Sequence, residues 1–249
     1  PLHGLRVLDL TRILAGPVAA RTLAAYGADV LMLSSPNLPH IEAVAETSRG
    51  KRSAHLDLRS SGGADTLRGL LREAHVFLQG YRPGALAGHG FSAEALAQRH
   101  PGLVVAELSA YGGSGPWAGR RGFDSLVQTA TGFNHAEAQA LGRAEPQALP
   151  LQVLDYSAGF LLAFGAAAGL WKRATEGGSW QVRVTLASAD GQLYDLREDF
   201  SQSKNLAASE PARLTSATPK NAQRNPEIRY TIGLNRLNVR HIGGSMSIE

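Results

Sequence analysis

The sequence contains no cysteine, and this absence excludes three kinds of chemistry. A chain without thiols forms no disulfide, offers no thiolate nucleophile and holds no zinc through sulfur. Its eight histidines show no metal-ligand spacing, so we expect no metal site. Charged residues make up only 18% of the chain and form no basic block interleaved with aromatic residues, which argues against nucleic acid as a partner.

Three common nucleotide and nucleophile signatures are also missing. The loop after the first predicted strand has Gly16 alone instead of the three glycines of a dinucleotide fingerprint. Gly50 and Lys51 match only half of a phosphate-binding P-loop, and the glycines around Ser114 are spaced too closely for a nucleophile elbow. No signal peptide opens the sequence, which predicts a cytoplasmic protein. The net charge of +4 fits an anionic ligand such as a nucleotide or an acyl-CoA.

Short apolar runs alternate with segments of helical spacing over the first 110 residues. This pattern predicts strands at 5–10, 28–33, 53–58, 75–78 and 103–108 with helices between them, and a half-buried strand at 180–186. The rhythm favours an α/β fold with a doubly wound, mostly parallel, Rossmann-like sheet flanked by helices, where ligands bind at the carboxyl ends of the strands.

The character of the sequence changes after residue 187. Residues 188–225 are polar with few clustered apolar side chains, which is typical of a linker or extended arm, and a short strand at 228–232 follows. We therefore divide the chain into an α/β domain, 1–187, and an irregular C-terminal arm, 188–249.

Residues 156–171 form a run without a charged residue, directly after Asp155. Because the run is rich in Ala and Gly and shorter than the roughly 20 residues of a bilayer span, it predicts a buried helix. Asp155 then has two interpretations. It is a structural N-cap of the helix, or a nucleophile that the helix N-terminus keeps ionised near neutral pH. The residues alone leave both open and favour the N-cap.

Several short motifs resemble, in order and spacing, those of the class III CoA-transferases, the family of formyl-CoA transferase, the carnitine CoA-transferase and α-methylacyl-CoA racemase. The resemblance covers about residues 1–187. The matching stretches are 1–11 (PLHGLRVLDLT), 15–17 (AGP), 27–30 (GADV), 50–53 (GKRS) with 56–58 (LDL), 81–84 (YRPG), 112–116 (GGSGP), 122–124 (GFD) with Gln128 and Gly132, and Asp155 with Gly159.

The resemblance implies a transferase in which Asp155 attacks the carbonyl of an acyl-CoA thioester. An aspartyl anhydride, an aspartyl-CoA thioester and a second anhydride with a small carboxylate acceptor follow, with CoA as a substrate and no tightly bound cofactor. It also implies a homodimer. The site residues it implies are Asp155 and Asp124 beside the reacting carbonyl, Ile13, Leu14 and Ala15 against CoA, Gly80, Tyr81 and Arg82 at the nucleotide end, and Arg121 as a basic contact.

Other interpretations remain open. Arg82 is alternatively a turn cation, Tyr81 a core residue and Asp124 the N-cap of a helix from Ser125. A non-catalytic CoA-binding or assembly module is the main alternative function, because residues 188–249 do not resemble the family's second domain. A racemase is less favoured, since Phe123 stands where the racemases carry a catalytic histidine.

Overall fold

The computed structural model describes residues 1–39, 41–114, 117–188 and 233–242. Its strands are β1 (Arg6–Leu10), β2 (Asp29–Ser34), β3 (Lys51–His55), β4 (Val76–Gln79), β5 (Val104–Ser109), β6 (Ser179–Ser188) and β7 (Gly233–Ile242). Its α-helices are α1 (Ala15–Ala25), α2 (Val44–Thr47), α3 (Ser61–Leu71), α4 (Ala93–Arg99), α5 (Asp124–Ala130), α6 (Phe133–Ala140) and α7 (Val153–Glu176).

The strands form one seven-stranded sheet in the order β3-β2-β1-β4-β5-β6-β7. Neighbouring strands from β3 to β6 run parallel, and β7 pairs antiparallel with β6. The chain thus moves outward from β1 in one direction and then continues from β4 in the other. Ligands of such sheets bind where the order reverses, outside the carboxyl ends of the two central strands. The predicted α/β fold is confirmed, and its binding crevice is placed at β1 and β4.

Two apolar cores lie on opposite faces of the sheet. Helices α1 and α7 cover one face, and α3 and α4 cover the other. The contact between α1 and α7 is close because Gly159 has no side chain. A Cβ there would lie 2.6 Å from the backbone oxygen of Ala15 and 2.8 Å from Cγ1 of Val18.

By length and composition α7 is apolar enough to cross a bilayer, the one such helix in the described part of the chain. It is longer than the charge-free run of the sequence because it also includes the first turn and residues 172–176. However, 56% of its most apolar window is buried inside the protein, as in the core helix of a soluble fold. The packing therefore fits the predicted buried helix.

Two local predictions are wrong. Strand β3 begins two residues before its predicted start. The predicted half-buried strand, β6, is covered on both faces over most of its length. Gln181 on its polar side is only 1% exposed, because β6 is an inner strand with β7 beside it.

Part of the predicted C-terminal arm is regular structure. Residues 233–242 form β7, an edge strand that pairs with β6 from Ser179 to Ser188. The predicted strand at 228–232 lies outside the described residues. The sheet thus includes chain beyond the predicted boundary at residue 187.

A buried ion pair holds the first loop of the binding crevice. Lys51 Nζ lies 2.9 Å from Asp9 Oδ2, and both side chains are fully buried. Lys51 also donates to the backbone oxygen of Pro17 at 3.0 Å, and the backbone N–H of Thr11 donates to Asp9 Oδ1 at 2.9 Å. A buried charge pair is stable only when such further hydrogen bonds satisfy it. The pair therefore ties β3 to the loop that joins β1 and α1.

Candidate active site

Asp155 is the third residue of α7, and Gln152 stands at the N-cap without a side-chain hydrogen bond. The predicted N-cap role of Asp155 is therefore wrong. Its side chain is largely buried, and no donor among the described residues makes a hydrogen bond to its carboxylate oxygens. A buried carboxylate without donors is costly to keep for structural reasons alone, and such groups cluster at functional sites.

Asp124 caps the helix in place of Asp155. Its Oδ2 accepts a hydrogen bond of 2.8 Å from the backbone N–H of Asp155, and its Oδ1 accepts one from Gln128 Nε2. Asp124 is itself the first residue of α5, where Phe123 is the N-cap, so its predicted role as N-cap of its own helix is wrong. It fixes the first turn of α7 against α5 instead.

Gln128 has a role that the sequence did not reveal. It lies one turn after Asp124 on α5 and is 2% exposed. Its Nε2 donates to Asp124, while its buried Oε1 has no partner among the described residues. An unsatisfied buried oxygen costs about 1–3 kcal/mol. The hydrogen bond from the amide nitrogen to Asp124 therefore has to hold the side chain in this position. Only the i, i+4 spacing of Asp124 and Gln128 on a helix signals this contact.

Burial, together with the nearby charge of Asp124, raises the pKa of Asp155 to about 7. Both effects disfavour the ionised carboxylate, and burial is the larger of the two. The expectation that Asp155 is fully ionised near neutral pH is therefore corrected. The protonated and ionised forms coexist at that pH, as is typical of groups that change charge during a reaction.

A cavity of about 220 Å³ leads to Asp155, and we call it the inner cavity. It opens between the loop after β1 and the loop after β4, at the crevice that the sheet order places there. Most of its side chains are apolar. The lining residues are Leu10, Arg12, Ile13, Leu14, Ala15, Gly80, Tyr81, Leu108, Ser109, Ala110, Gly122, Phe123, Asp155 and Leu186.

The backbone of Ile13 is strained where it borders the inner cavity. Its φ of 71° is the only positive value of a residue other than glycine among the described residues. This conformation is rare for a β-branched residue and persists only where the surrounding structure imposes it. Here the loop is fixed on both sides. The hydrogen bond from the backbone N–H of Thr11 to Asp9 holds it before Ile13, and helix α1 begins directly after it. Strain of this kind is common at ligand sites.

A second, open cleft of about 510 Å³ adjoins the inner cavity and shares Tyr81, Leu108 and Ser109 with it. This outer cleft lies over polar side chains of β4, β5, β6 and β7, where Gln79, Glu107, Arg183 and Asn238 are register partners on neighbouring strands. Glu107 accepts from Gln79 at 3.0 Å, from Gln181 at 2.6 Å and from Arg183 at 3.1 Å. Arg240 also lines this cleft and donates to Glu94 at 2.9 Å.

The structure brings most of the predicted site residues together. Five residues predicted to contact CoA line the inner cavity with Asp155, and Asp124 lies directly behind it. These five are Ile13, Leu14, Ala15, Gly80 and Tyr81. Arg82 and Arg121 are exposed and line neither space, so their contact with CoA stays a prediction. Among the described residues, no group of three or more His, Cys, Asp or Glu side chains is placed to hold a metal ion.

Sequence comparison places the chain in a family. The model of CoA-transferase family III matches residues 2–225, which is most of the chain. The protein belongs to CoA-transferase family III. The match extends past residue 187, where the motifs found in the sequence end.

Curated relatives of this family III chain are named as CoA-transferases. The chain is 33% identical over 200 residues to the probable fatty acyl-CoA transferase Rv3272 of Mycobacterium tuberculosis, covering 75% of this chain and 50% of that protein. It is 28% identical over 240 residues to the succinate–glutarate CoA-transferase of Agrobacterium fabrum, covering 88% and 58%. The chain spans about half the length of the curated relatives that it matches.

Solved structures of family members agree with the fold. A crystal structure of Rv3272 matches with a TM-score of 0.66 and 34% identity, over 74% of this chain and 53% of that one. A CAIB/BAIF family protein from Brucella suis matches with a TM-score of 0.64 and 30% identity, over 73% and 52%. The family III fold therefore accounts for the sheet and the helices that form the inner cavity.

Proposed function

We propose that this family III protein transfers CoA from an acyl-CoA to a carboxylate, with Asp155 as the nucleophile. The observation that carries the proposal is the position of Asp155, whose carboxylate is buried, free of described hydrogen-bond donors and open to the inner cavity. A carboxylate needs no general base to act as a nucleophile once it is ionised. The names of the relatives support the reaction class.

The proposed reaction proceeds through covalent aspartyl intermediates. An oxygen of ionised Asp155 attacks the thioester carbonyl and forms a tetrahedral adduct. The C–S bond of this adduct breaks, CoA leaves as its thiolate, and a mixed anhydride of Asp155 and the acyl group remains. The thiolate then attacks the Asp155 carbonyl, which releases the donor carboxylate and leaves an aspartyl-CoA thioester. The acceptor carboxylate then attacks the carbonyl of the aspartyl-CoA thioester. It displaces CoA to form a second anhydride, and the thiolate attacks the acceptor carbonyl, which restores Asp155.

The environment of Asp155 favours its acylation. Ionised Asp155 is destabilised by burial and by the charge of Asp124, as its raised pKa shows. Acylation converts the carboxylate into a neutral anhydride or thioester, so this repulsion disappears in the covalent intermediates. Asp124 cannot swing away because its oxygens are held by the Asp155 N–H and by Gln128.

The two adjoining spaces fit the two ends of an acyl-CoA. The inner cavity is mainly apolar and holds Asp155, which suits the acyl group and the thioester. The outer cleft carries Arg183 and Arg240, whose guanidinium groups suit the phosphates at the nucleotide end. Tyr81 borders both spaces, so the linking chain of CoA passes beside it. The apolar lining favours an uncharged acyl group on the donor.

A homodimer is part of the proposal. Phe160, Phe164 and Trp171 form an exposed apolar stripe along the outer side of α7, with 51%, 65% and 64% of their surfaces accessible. Their spacing places them on one face of the helix. Adjacent exposed apolar residues of this size mark interaction sites. A second copy of the chain covers this stripe in the proposed assembly.

Two alternatives make different predictions. A non-catalytic CoA-binding module would bind an acyl-CoA in the same two spaces without forming an adduct on Asp155. A racemase is disfavoured because Phe123, at the position of the racemase histidine, borders the inner cavity with a side chain that transfers no proton.

Intact mass spectrometry after incubation with a panel of acyl-CoAs tests the proposal. We expect a covalent adduct that hydroxylamine removes and that is absent from Asp155→Ala. Asp65→Ala is the matched control, because Asp65 is an exposed aspartate of α3 on the opposite face of the sheet, and its adduct should equal that of the wild type. CoA binding without an adduct from any thioester would support the module instead.

A further inference from the structure

A third cleft lies at the amino ends of the strands, and Asp155 lies near their carboxyl ends. The cleft has a volume of about 580 Å³ and is formed where β1, β4 and β5 begin, with the end of α7 beside them. Because these strands are four to six residues long, their two ends are roughly 13–20 Å apart. We call it the basic cleft. Its charged and titratable side chains are Arg6, Arg72, Arg99, Arg173, His75, His100 and Glu73.

The charges of the basic cleft are strongly unbalanced. Four arginines face one acid, Glu73, and this acid pairs with Arg6. No carboxylate among the described residues pairs with Arg72, Arg99 or Arg173. The cleft therefore holds a surplus of three positive charges, while the entire chain has a net charge of +4. Like charges concentrated in one concave surface repel one another and attract an anion.

The hydrogen bonds of the cleft leave donors free. Arg99 uses one nitrogen to donate to the backbone oxygen of Gly90 at 3.0 Å, and a guanidinium has four further N–H groups. His75 accepts from the backbone N–H of Arg6 at Nδ1, at 3.0 Å, so its neutral ring carries its proton on Nε2. Donors from several chain segments thus face one space.

The pKa values of the two histidines in the cleft are lowered by burial and, to a smaller extent, by the arginines. Burial, with Arg173 and Arg6 next, lowers the pKa of His75, and burial, with Arg72 and Arg99 next, lowers the pKa of His100. Both effects disfavour the imidazolium form of each ring. A bound anion would offset the arginine charges that disfavour the imidazolium form.

We propose that the basic cleft binds a multiply charged phosphate group, such as a pyrophosphate, at a site separate from Asp155. Planar guanidinium groups match the paired oxygens of phosphate, and arginine is favoured wherever such groups are recognised. Its volume lies in the range of small-molecule sites, and its open, mainly polar lining suits a strongly charged ligand. The ligand is either free pyrophosphate or the diphosphate of a nucleotide, and this site goes beyond the proposed transferase reaction.

Calorimetric titration of the wild-type chain with inorganic pyrophosphate, ADP and succinate tests the site. We expect saturable binding of pyrophosphate, at least tenfold tighter than that of succinate. If ADP binds more tightly than pyrophosphate and Arg72→Gln with Arg173→Gln weakens its binding, the ligand is a nucleotide. Arg72→Gln with Arg173→Gln should weaken pyrophosphate binding at least tenfold. The control is Arg49→Gln with Arg143→Gln, which removes the same charge from exposed positions outside the cleft and should bind as the wild type does.

Arginine footprinting on the wild type gives a second measurement that needs no variant. Phenylglyoxal modifies accessible arginines, and peptide mass spectrometry locates the modified residues. We expect pyrophosphate to protect Arg72 and Arg173. Protection of Arg183 and Arg240 alone would place the anion in the outer cleft and overturn the proposal. So would equal weakening in the control variant, or binding that does not saturate.

Discussion

At the scale of single residues, Asp155 couples the stability of the fold to pH. Its pKa is raised to about 7 in the folded protein, from an ordinary value of 3.8, by burial and then by Asp124. The folded state therefore holds the proton more tightly than the unfolded state. The stability from this group is fully present below pH 4 and is lost as pH rises through 7.

We predict that Asp155→Asn removes this loss, because the amide resembles the protonated acid at every pH. Between pH 4 and pH 8 the free energy of unfolding of the wild type should fall relative to that of the variant, by on the order of 4 kcal/mol at most. Urea unfolding of both proteins across this range measures the difference. Asp65→Asn, at an exposed aspartate, should show a much smaller change. A wild-type-minus-variant difference that does not vary with pH would refute the prediction.

We also predict opposite effects of two substitutions beside Asp155. Asp124→Asn removes the neighbouring charge but keeps an oxygen that accepts the Asp155 N–H, so the pKa of Asp155 should fall. Gln128→Glu places a further carboxylate next to Asp124, so the pKa should rise. The pH dependence of adduct formation with an acyl-CoA measures both, since only ionised Asp155 attacks. The acid limb should move to lower pH in the first variant and to higher pH in the second. A shift in the same direction would show that charge is not the cause.

At the scale of helices and strands, local patterns predicted most of the central sheet. β1, β2, β4 and β5 are short apolar runs whose burial on both faces is visible in the sequence. The failures concern long-range contacts. β7 pairs with β6 across more than 40 intervening residues, and no local period encodes that pairing. The start of α7 was misplaced because its cap, Asp124, comes from another helix.

Part of the candidate site was also predictable from the sequence. Residues 12–15 follow β1, and Gly80 and Tyr81 follow β4, so sheet order alone brings this part of the inner cavity together. Resemblance to a known family was needed to add a role to Asp155, because its residue type and position favour a structural cap. The raised pKa arises from tertiary burial and from a residue 31 positions away, and neither is visible in the sequence.

We predict that the close contact between α1 and α7 depends on Gly159. In Gly159→Ala the new Cβ meets the backbone of Ala15, which cannot rotate away, so the two helices must separate. We expect a loss of about 1–3 kcal/mol in the free energy of unfolding. Gly69→Ala is the matched control, because Gly69 is an exposed residue of α3 with open space around its Cβ position. It should raise stability by about 0.4–1 kcal/mol. Urea unfolding measures both, and equal effects would contradict the packing argument.

At the scale of the whole molecule, the fold presents three different surfaces. Asp155 and its cavity lie at the carboxyl ends of the strands, and the surplus of arginines lies at their amino ends. The outer side of α7 carries the exposed aromatic stripe. The buried face of α7 consists mostly of Ala and Gly, and the aromatic side chains of Phe160, Phe164 and Trp171 point outward. The same helix thus positions the proposed nucleophile and carries the surface that the proposed dimer would cover.

We predict that Phe164→Glu converts a homodimer into a monomer. The substitution places a charge at the centre of the stripe, and burying an unpaired carboxylate between two copies would cost more than the contact provides. Phe164 is 65% exposed within the single chain, so the fold itself should remain intact. Sedimentation velocity over a range of concentrations measures the change in mass. Gln98→Glu adds the same charge to an exposed position of α4, on the other face of the sheet, and should leave the dimer unchanged. A variant that sediments as the wild-type dimer would show that another surface joins the two copies.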